Sequence, residues 1–487
     1  MFNFSNNPMI KNTFIALILF FVLASCQSKK NQKETLDQDI PVATAKDSLL
    51  VKLVTQAYIY GYPMMTMDYT HKISSNVVSD NGMGKGPINQ WGNMRKFPKA
   101  GFKEVVRPNL DTYYSLVYAD LGKNPLYLHI PATDRYYLMP ILNAYGDVIE
   151  SLGTRTTGQG ELNIALVGPK FDGEIDKDLT VIRSTTDLNW LLGRIAVKNN
   201  EDGKLEVANF QSKLIARPLS ERNNKNYKNP KGIINPDYLN KVPMDVVDNK
   251  DITTYLNEVM QLMVDNPVYP ADKPLLNQLK TIGFEPGGTF KLDQFNPQTQ
   301  EMVKKVPAIV QGLFSKMTAN PPTENLQNGW NVITSGLGEY GTQYFLRAYV
   351  TKIGYGANQP VDAIYPNSAI DSDGNNYNGS NKYVLHFEAD HMPPVNGFWS
   401  ITMYDKKGFL VDNAIDRYNL GGMKDLIYNE DGSLDIFIQA EEPKKLKANW
   451  LPSTKAGEEF ELTFRMYYPK ANVLDKSYQM PGVKKVQ

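Results

Sequence analysis

Two long stretches of this chain alternate apolar and polar side chains with a period of two, which restricts them to β-strands with one face turned to a core. In the first, Tyr114, Leu116 and Tyr118 share one face, and Tyr113, Ser115 and Val117 share the other. Further short runs follow closely: residues 126–130 stop at Pro131, residues 135–142 follow a turn at Thr133 and Asp134, and residues 162–167 stop at Gly168-Pro169. Strands so close together, with no helical pattern between them, predict an antiparallel meander rather than a βαβ series. In the second stretch the alternating sets are Tyr383, Leu385 and Phe387; Phe398, Ser400, Thr402 and Tyr404; Leu434, Ile436 and Ile438; and Phe460, Leu462, Phe464 and Met466. Glycine-containing turns at 405–408 and 429–432 separate them, a combination that favours sandwiches or barrels.

Helical spacing appears in two other places. Leu49, Leu50, Leu53, Val54, Ala57 and Tyr60 predict a helix over 48–62, with Asp47 as its cap and Pro63 as its end. Between the β stretches, Tyr255, Val259, Leu262 and Met263, then Met302, Val306, Ile309, Val310 and Leu313, predict helices within 246–335. The fold class expected is therefore mainly β with helical insertions.

The N-terminus reads as a targeting segment. A polar stretch with Lys11 precedes the apolar run 14–24, far short of the roughly 20 residues a membrane-spanning helix needs. Leu23-Ala24-Ser25-Cys26 then matches the pattern cut by the lipoprotein signal peptidase, with Cys26 becoming the lipidated first residue. Cys26 is the only cysteine in 487 residues, so the body has neither a disulfide nor a thiol nucleophile. Gln27, rather than an aspartate, follows it and favours the outer membrane. The expected localisation is the cell envelope, with the membrane engaged through the acyl chains on Cys26. The divisions expected are a signal peptide (1–25), a polar tether (26–44), an N-terminal β domain (45–245), a helical connecting region (246–335) and a C-terminal β domain (336–487).

Lysine plus arginine and aspartate plus glutamate both total 52, a balance that argues against a nucleic-acid partner. An internal similarity stands out: Leu128-His129-Ile130, the strand after it and Gly146-Asp147-Val148 parallel Leu385-His386-Phe387, its following strand and Gly408-Phe409-Leu410. The two β stretches read as duplicates, two related sandwiches side by side.

Several motifs resemble a bacterial family that pairs the domain of unknown function 1254 with the domain of unknown function 1214. In the first part they are Ala57-Tyr58-Ile59-Tyr60-Gly61-Tyr62-Pro63, Arg107-Pro108-Asn109-Leu110-Asp111-Thr112-Tyr113 and Gly168-Pro169. In the second they are Tyr365-Pro366, residues 371–374, residues 397–404, Asn449-Trp450-Leu451-Pro452 and Arg465-Met466-Tyr467. The resemblance implies two jelly-roll-like antiparallel β-sandwich domains, similar in shape to double jelly-roll capsid proteins. It implies no established activity, since function lives in sites placed on folds.

Candidate ligand residues come from their chemistry. Arg107, Asn109 and Asp111 fall on one face of an extended segment, where a planar guanidinium and an amide suit an anionic or hydroxyl-rich ligand. An ion pair between Arg107 and Asp111 that pins the loop competes with that reading. Arg155 and Thr157 repeat the combination of arginine and hydroxyl. Asn449, Trp450 and Arg465 form a third set: Trp450, in a loop, suits stacking on a sugar ring, whereas Trp399, inside a strand, suits the core. The sequence holds no G-x-S-x-G elbow, H-E-x-x-H, phosphate loop or dinucleotide fingerprint. His386, Glu388, Asp390 and His391 lack a clear third metal ligand, and Asp371, Asp373 and Asn375 lack the glycine and glutamate of a calcium loop, so neither a metal nor a cofactor is expected. Two functions remain: an envelope lipoprotein that binds or processes a small carbohydrate or carboxylated metabolite, or a structural lipoprotein whose jelly rolls form a homo-oligomer.

Overall fold

The computed structural model describes residues 45–103 and 105–486. The expected signal peptide, lipidated Cys26 and tether lie outside the described residues. Among the described residues, no helix is long and apolar enough to cross a membrane.

The first β region comprises β1 (Trp91–Asn93), β2 (Thr112–Asp120), β3 (Leu126–Ile130), β4 (Tyr137–Asn143), β5 (Val148–Gly153), β6 (Leu162–Val167), β7 (Thr180–Arg183), β8 (Leu188–Ala196) and β9 (Ile215–Pro218). They form two sheets in the orders β1-β2-β8-β4-β5 and β7-β6-β3-β9. Val117, Leu128, Ile164 and Leu191, drawn from both sheets, share one core, so the sheets close as a sandwich. The strands do not form a meander. β2, β3 and β4 pass back and forth between the sheets, and β6 pairs with β7 in parallel. Strand periodicity cannot reveal this, because it reports which face is buried and not which sheet a strand joins.

The second region comprises β10 (Leu326–Gln327), β11 (Trp330–Asn331), β12 (Ala363–Ile364), β13 (Asn367–Ser368), β14 (Lys382–Phe387), β15 (Trp399–Asp405), β16 (Asn419–Gly421), β17 (Leu434–Gln439), β18 (Trp450–Pro452), β19 (Phe460–Tyr467) and β20 (Val483–Val486). Its sheets run β10-β11-β13-β19-β15-β16 and β18-β17-β14-β20. Set beside β2-β8-β4-β5 and β7-β6-β3-β9, these orders correspond strand for strand from β13 onward, including the parallel pair, here β17 with β18. Even the histidines correspond. His129 of β3 faces Asn163 of β6, and His386 of β14 faces Asp435 of β17. The two regions are topological repeats, both jelly-roll-like in the way successive strands change sheets.

A helical module completes the body, with its centre far upstream in the chain. Helix α1 (Ala45–Ser74) shares one core with α2 (Pro243–Asp248), α3 (Ile252–Asp265), α4 (Lys273–Leu279), α5 (Pro297–Lys304), α6 (Val306–Ala319) and α7 (Tyr344–Gly354). Helix α1 therefore continues 12 residues beyond the expected end at Tyr62, straight through Pro63. A proline inside a helix removes one backbone hydrogen bond and ordinarily breaks it. Here burial outweighs that cost, because Tyr58, Tyr60, Tyr62, Met64 and Met65 all lie in the module core. Gly61 lets α3 approach, since a Cβ there would stand 2.5 Å from a Val259 methyl. Asp47 bonds to the Thr299 hydroxyl at 2.5 Å and the Asn296 side chain at 3.3 Å, which ties the start of α1 to the start of α5. The later half of α1 covers the outer face of β2 and β8, where Met67 meets Tyr118, Trp190 and Leu192.

Near its end, α1 buries His71 edge-on to Tyr118. Burial pushes this imidazole down to about 3. In the unfolded chain the ring takes its proton near 6.5, so between those values the unfolded state binds more protons and acidification destabilises the fold. Wild-type stability should therefore fall relative to His71→Leu by about 1.4 kcal/mol per pH unit over that window. Urea titrations of both proteins from pH 7 to pH 4 check this, and parallel curves would count against it.

Candidate functional site

The segment 107–111 is laid across the second sandwich. The Arg107 amide donates to the Gly408 carbonyl at 2.7 Å, and the Tyr404 hydroxyl donates to the Pro108 carbonyl at 2.7 Å. Arg107 itself takes a left-handed conformation, φ 47°. That turns its side chain outward to an ion pair with Glu461, away from Asp111. Asn109 turns inward, where its carbonyl oxygen accepts the Asp111 and Thr112 amides at 2.7 and 3.2 Å and its amide donates to the Tyr467 hydroxyl at 2.7 Å.

Asp111, only 2% exposed, is the centre of this network. One oxygen accepts from the Ser400 hydroxyl at 2.6 Å and the Tyr467 hydroxyl at 3.2 Å, and the other accepts from Asn419 at 2.8 Å. Burial and the Asp111 charge push the Tyr467 hydroxyl well above its ordinary range, so it remains a donor. All three donors belong to β15, β16 and β19 of the second sandwich. The Arg107, Asn109 and Asp111 set thus separates: the arginine faces outward and the other two are built into the seam between the sandwiches.

Two guanidinium groups lie in the same seam. Arg465 of β19 donates to the Thr402 and Tyr404 hydroxyls, both at 2.7 Å, and to the Arg107 carbonyl at 3.2 Å. Arg194 of β8, also buried, lies over the Tyr114 ring and donates to the Leu192 and Gly356 carbonyls at 3.2 and 3.1 Å. Its Nε has no partner among the described residues. Every hydrogen-bond partner of these two cations is neutral, and the Asp111 charge acts on Arg465 but not on Arg194. The nearby buried carboxylates are already engaged, Asp111 as above and Asp362 by Arg155 and Ser151, each at 2.6 Å. Lys424 adds a third cation, held below its usual range by burial, its ammonium donating to the Lys198 carbonyl at 3.2 Å. Tyr365 stands beside Arg465, with its oxygen accepting from Asn358 at 2.6 Å, and burial raises its pKa, so its own proton stays available for donation.

The sequence matches two family models, one described as a protein of unknown function (DUF1254) over residues 88–218 and one as a protein of unknown function (DUF1214) over residues 362–471. The chain belongs to the paired DUF1254 and DUF1214 family. Asp111 and Arg194 come from the DUF1254 part, and Ser400, Asn419, Arg465 and Tyr467 from the DUF1214 part, so the seam is where the two domains meet. The chain is also similar to the crystal structure of the VPA0106 protein from Vibrio parahaemolyticus, with 24% identity, 90% of this chain and 100% of that chain covered, and a TM-score of 0.66. This likeness concerns the fold alone. An uncharacterised protein from Burkholderia cenocepacia aligns over 91% of this chain and 96% of its own at 12% identity, with a TM-score of 0.39 that carries no argument. No curated protein matches the sequence.

The remaining candidates of this family member are engaged locally. Thr157 accepts the Gly153 amide at 3.0 Å within a turn. Asn449 joins Ile427 to the Asp435 carbonyl, at 2.6 and 2.9 Å. Trp450 opens β18 and donates to the Gln439 carbonyl at 2.9 Å, so it is a buried strand residue rather than an open stacking platform. Trp399 is in the core of the second sandwich. Asp371 accepts the Asp373 and Asn375 amides at 3.0 and 2.9 Å, closing a turn. His386 and His391 line a cavity of about 340 Å³, where His386 pairs with Asp435 at 2.7 Å. Among the described residues, no group of three or more histidine, cysteine, aspartate or glutamate side chains can hold a metal ion.

A third buried arginine is Arg347 of α7, which, like Arg194, the sequence alone does not single out. It is packed against the Tyr60, Tyr145 and Tyr344 rings with Asp147 at 3.7 Å. Asp272 lies close by, bonded by the Tyr60 and Tyr344 hydroxyls at 2.9 and 3.0 Å. This cluster ties α1, the turn after β4 and α7 together.

Replacing Asp111 with asparagine keeps the shape but turns one acceptor into a donor facing donors. Asp111→Asn should cost about 3 kcal/mol, in the range of hydrogen bonds to a buried charge, whereas Arg107→Ala, at an exposed pair, should cost less than about 1 kcal/mol. Equilibrium denaturation of both variants measures the difference. Similar losses in the two would contradict the assignment.

Proposed function

We propose that this chain is a lipid-anchored protein of the cell envelope that binds a small carboxylated ligand in the seam between its two sandwiches. The observation that carries the reading is the buried Arg194 guanidinium, whose hydrogen-bond partners are all neutral and on which no carboxylate acts, beside Arg465, which has only Asp111 as counter-charge. Arginine stays protonated in a protein, and leaving such a charge in the interior without a counter-charge costs several kcal/mol. A ligand carboxylate supplies that counter-charge. The free Arg194 Nε and the Tyr365 hydroxyl offer donors to receive it. Arg347, whose guanidinium nitrogens also lack hydrogen-bond partners among the described residues, is the weaker candidate because Asp147 stands 3.7 Å away as its counter-charge. Anchoring rests on the pattern Leu23-Ala24-Ser25-Cys26.

The Asp111 network favours the second reading, a structural lipoprotein, to the extent that it is complete without a ligand. The two readings differ in what Arg194→Met does. A thermal-shift screen of the Cys26→Ser protein against mono- and dicarboxylates, uronic acids, neutral sugars and phosphate should give a stabilising carboxylate, worth about 2.7 kcal/mol at a hundredfold excess over Kd. Arg194→Met should abolish that response while leaving unliganded stability equal or higher, as removal of an uncompensated buried charge does. A marked loss of stability in Arg194→Met, with no compound shifting either protein, would favour the structural reading. Mass analysis of the membrane-extracted chain for acylated Cys26 tests the anchor separately.

A further inference from the structure

Apolar surface is exposed most prominently on the loop 223–242, which the ligand seam does not use. Ile233 is 91% exposed, and Ile234 beside it is also on the surface. They are not the loose tip of a coil. The Gly232 amide donates to the Val78 carbonyl at 2.9 Å, and the Asn235 amide donates to the Asn76 side chain at 2.7 Å while Asn76 donates back to the Asn235 carbonyl at 2.9 Å. Gln90 holds the Pro230 carbonyl at 2.8 Å. The backbone is thus clamped on both sides of the isoleucine pair, which presents it outward instead of letting it fold back. Two other exposed apolar side chains adjoin the clamps: Val78 accepts the Gly232 amide, and Ile88 follows Pro87, which packs on Gly232.

The exposed charges of the loop are predominantly basic. Lys225, Lys228, Lys231 and Lys241 are all exposed, and Asp237 is the only acidic residue within 223–242. Clamped aliphatic side chains on a lysine-rich loop match the boundary of an anionic bilayer, where the apolar groups enter below headgroups that pair with the ammonium groups. A second copy of the chain fits poorly, because a two-fold contact through this patch would bring the lysines of both copies together.

We propose that the loop 223–242, with Val78 and Ile88 beside it, is a membrane-docking surface that inserts Ile233 and Ile234 into an anionic lipid surface. The docking does not depend on the lipid at Cys26, and where both operate, two modest attachments add to a firm one and fix which face of the body meets the bilayer.

The test uses the chain from residue 26 onward carrying Cys26→Ser, so that neither an acyl group nor the N-terminal apolar run contributes. Co-sedimentation is measured with vesicles of phosphatidylglycerol and phosphatidylethanolamine and with vesicles of phosphatidylcholine. Binding should favour the anionic vesicles and fall more than about tenfold in Ile233→Asp/Ile234→Asp and in Lys225→Glu/Lys228→Glu/Lys231→Glu. Both variants change exposed side chains, so an unaltered melting temperature should accompany the loss. Equal binding to both vesicle types, binding to neither, or binding unchanged in the variants overturns the proposal. So does a concentration-dependent dimer that Ile233→Asp abolishes, which would assign the patch to a second copy.

Discussion

The Asp111 carboxylate joins what would otherwise be two separate sandwiches. It arises just before β2 of the first, and its hydrogen-bond donors Ser400, Asn419 and Tyr467 belong to three adjacent strands of the second. A buried carboxylate is tolerable only when its lone pairs are filled, and this one can be filled only when the second sandwich is docked in register. The same condition positions the 107–110 backbone, whose carbonyls receive Tyr404 and Arg465. One charge thereby fixes the relative placement of the outer sheet faces that carry Arg194 and Arg465.

The repeat explains why such a seam exists. A sandwich strand turns alternate residues to its core, so the other alternate set must face solvent or a neighbour. In β19, Leu462, Phe464 and Met466 fill the core while Thr463, Arg465 and Tyr467 point the other way. In β8, Leu191 and Ile195 fill the first core and Arg194 points outward. Two copies of one topology placed with these outer faces together bury polar side chains that a lone sandwich would leave in water. The cost is accepted at Asp111, where every oxygen is satisfied, and left open at Arg194, where a donor is not.

The helical module holds this arrangement from the side. Helix α1 supplies the centre of its core and at the same time covers β2 and β8, so the first sandwich and the module cannot move independently. Arg347 and its tyrosines, drawn from α1, the turn after β4 and α7, form a second joint. The first joint is apolar, and the second is a cation sealed among aromatic rings, which gives it a definite geometry at a cost in desolvation.

Much of the local structure was legible in the residues themselves. Strands β3 and β6 have the limits that periodicity and the Pro131 and Gly168-Pro169 breaks indicate, and the burial of Trp399 follows from its place inside a strand. These are consequences of backbone pleat and turn chemistry, both set by neighbours in sequence. The duplication was readable from two short matches, His129 and His386 among them, because equivalent strands keep equivalent side chains. What the sequence could not supply was the destination of outward-facing groups. The partners of Asp111 lie about three hundred residues away, Arg107 leaves its neighbours through a left-handed backbone turn, and α1 continues past Pro63 because other helices bury it. Arg194 went unread, although a single arginine in the apolar run Leu188–Ala196 is a visible signal. The sequence by itself determined which residues alternate, where turns fall and that two similar β regions flank a helical one, since all of these depend on short-range geometry. Only the tertiary structure decided which polar residues are buried together, because that depends on two sheet faces meeting and excluding water between them.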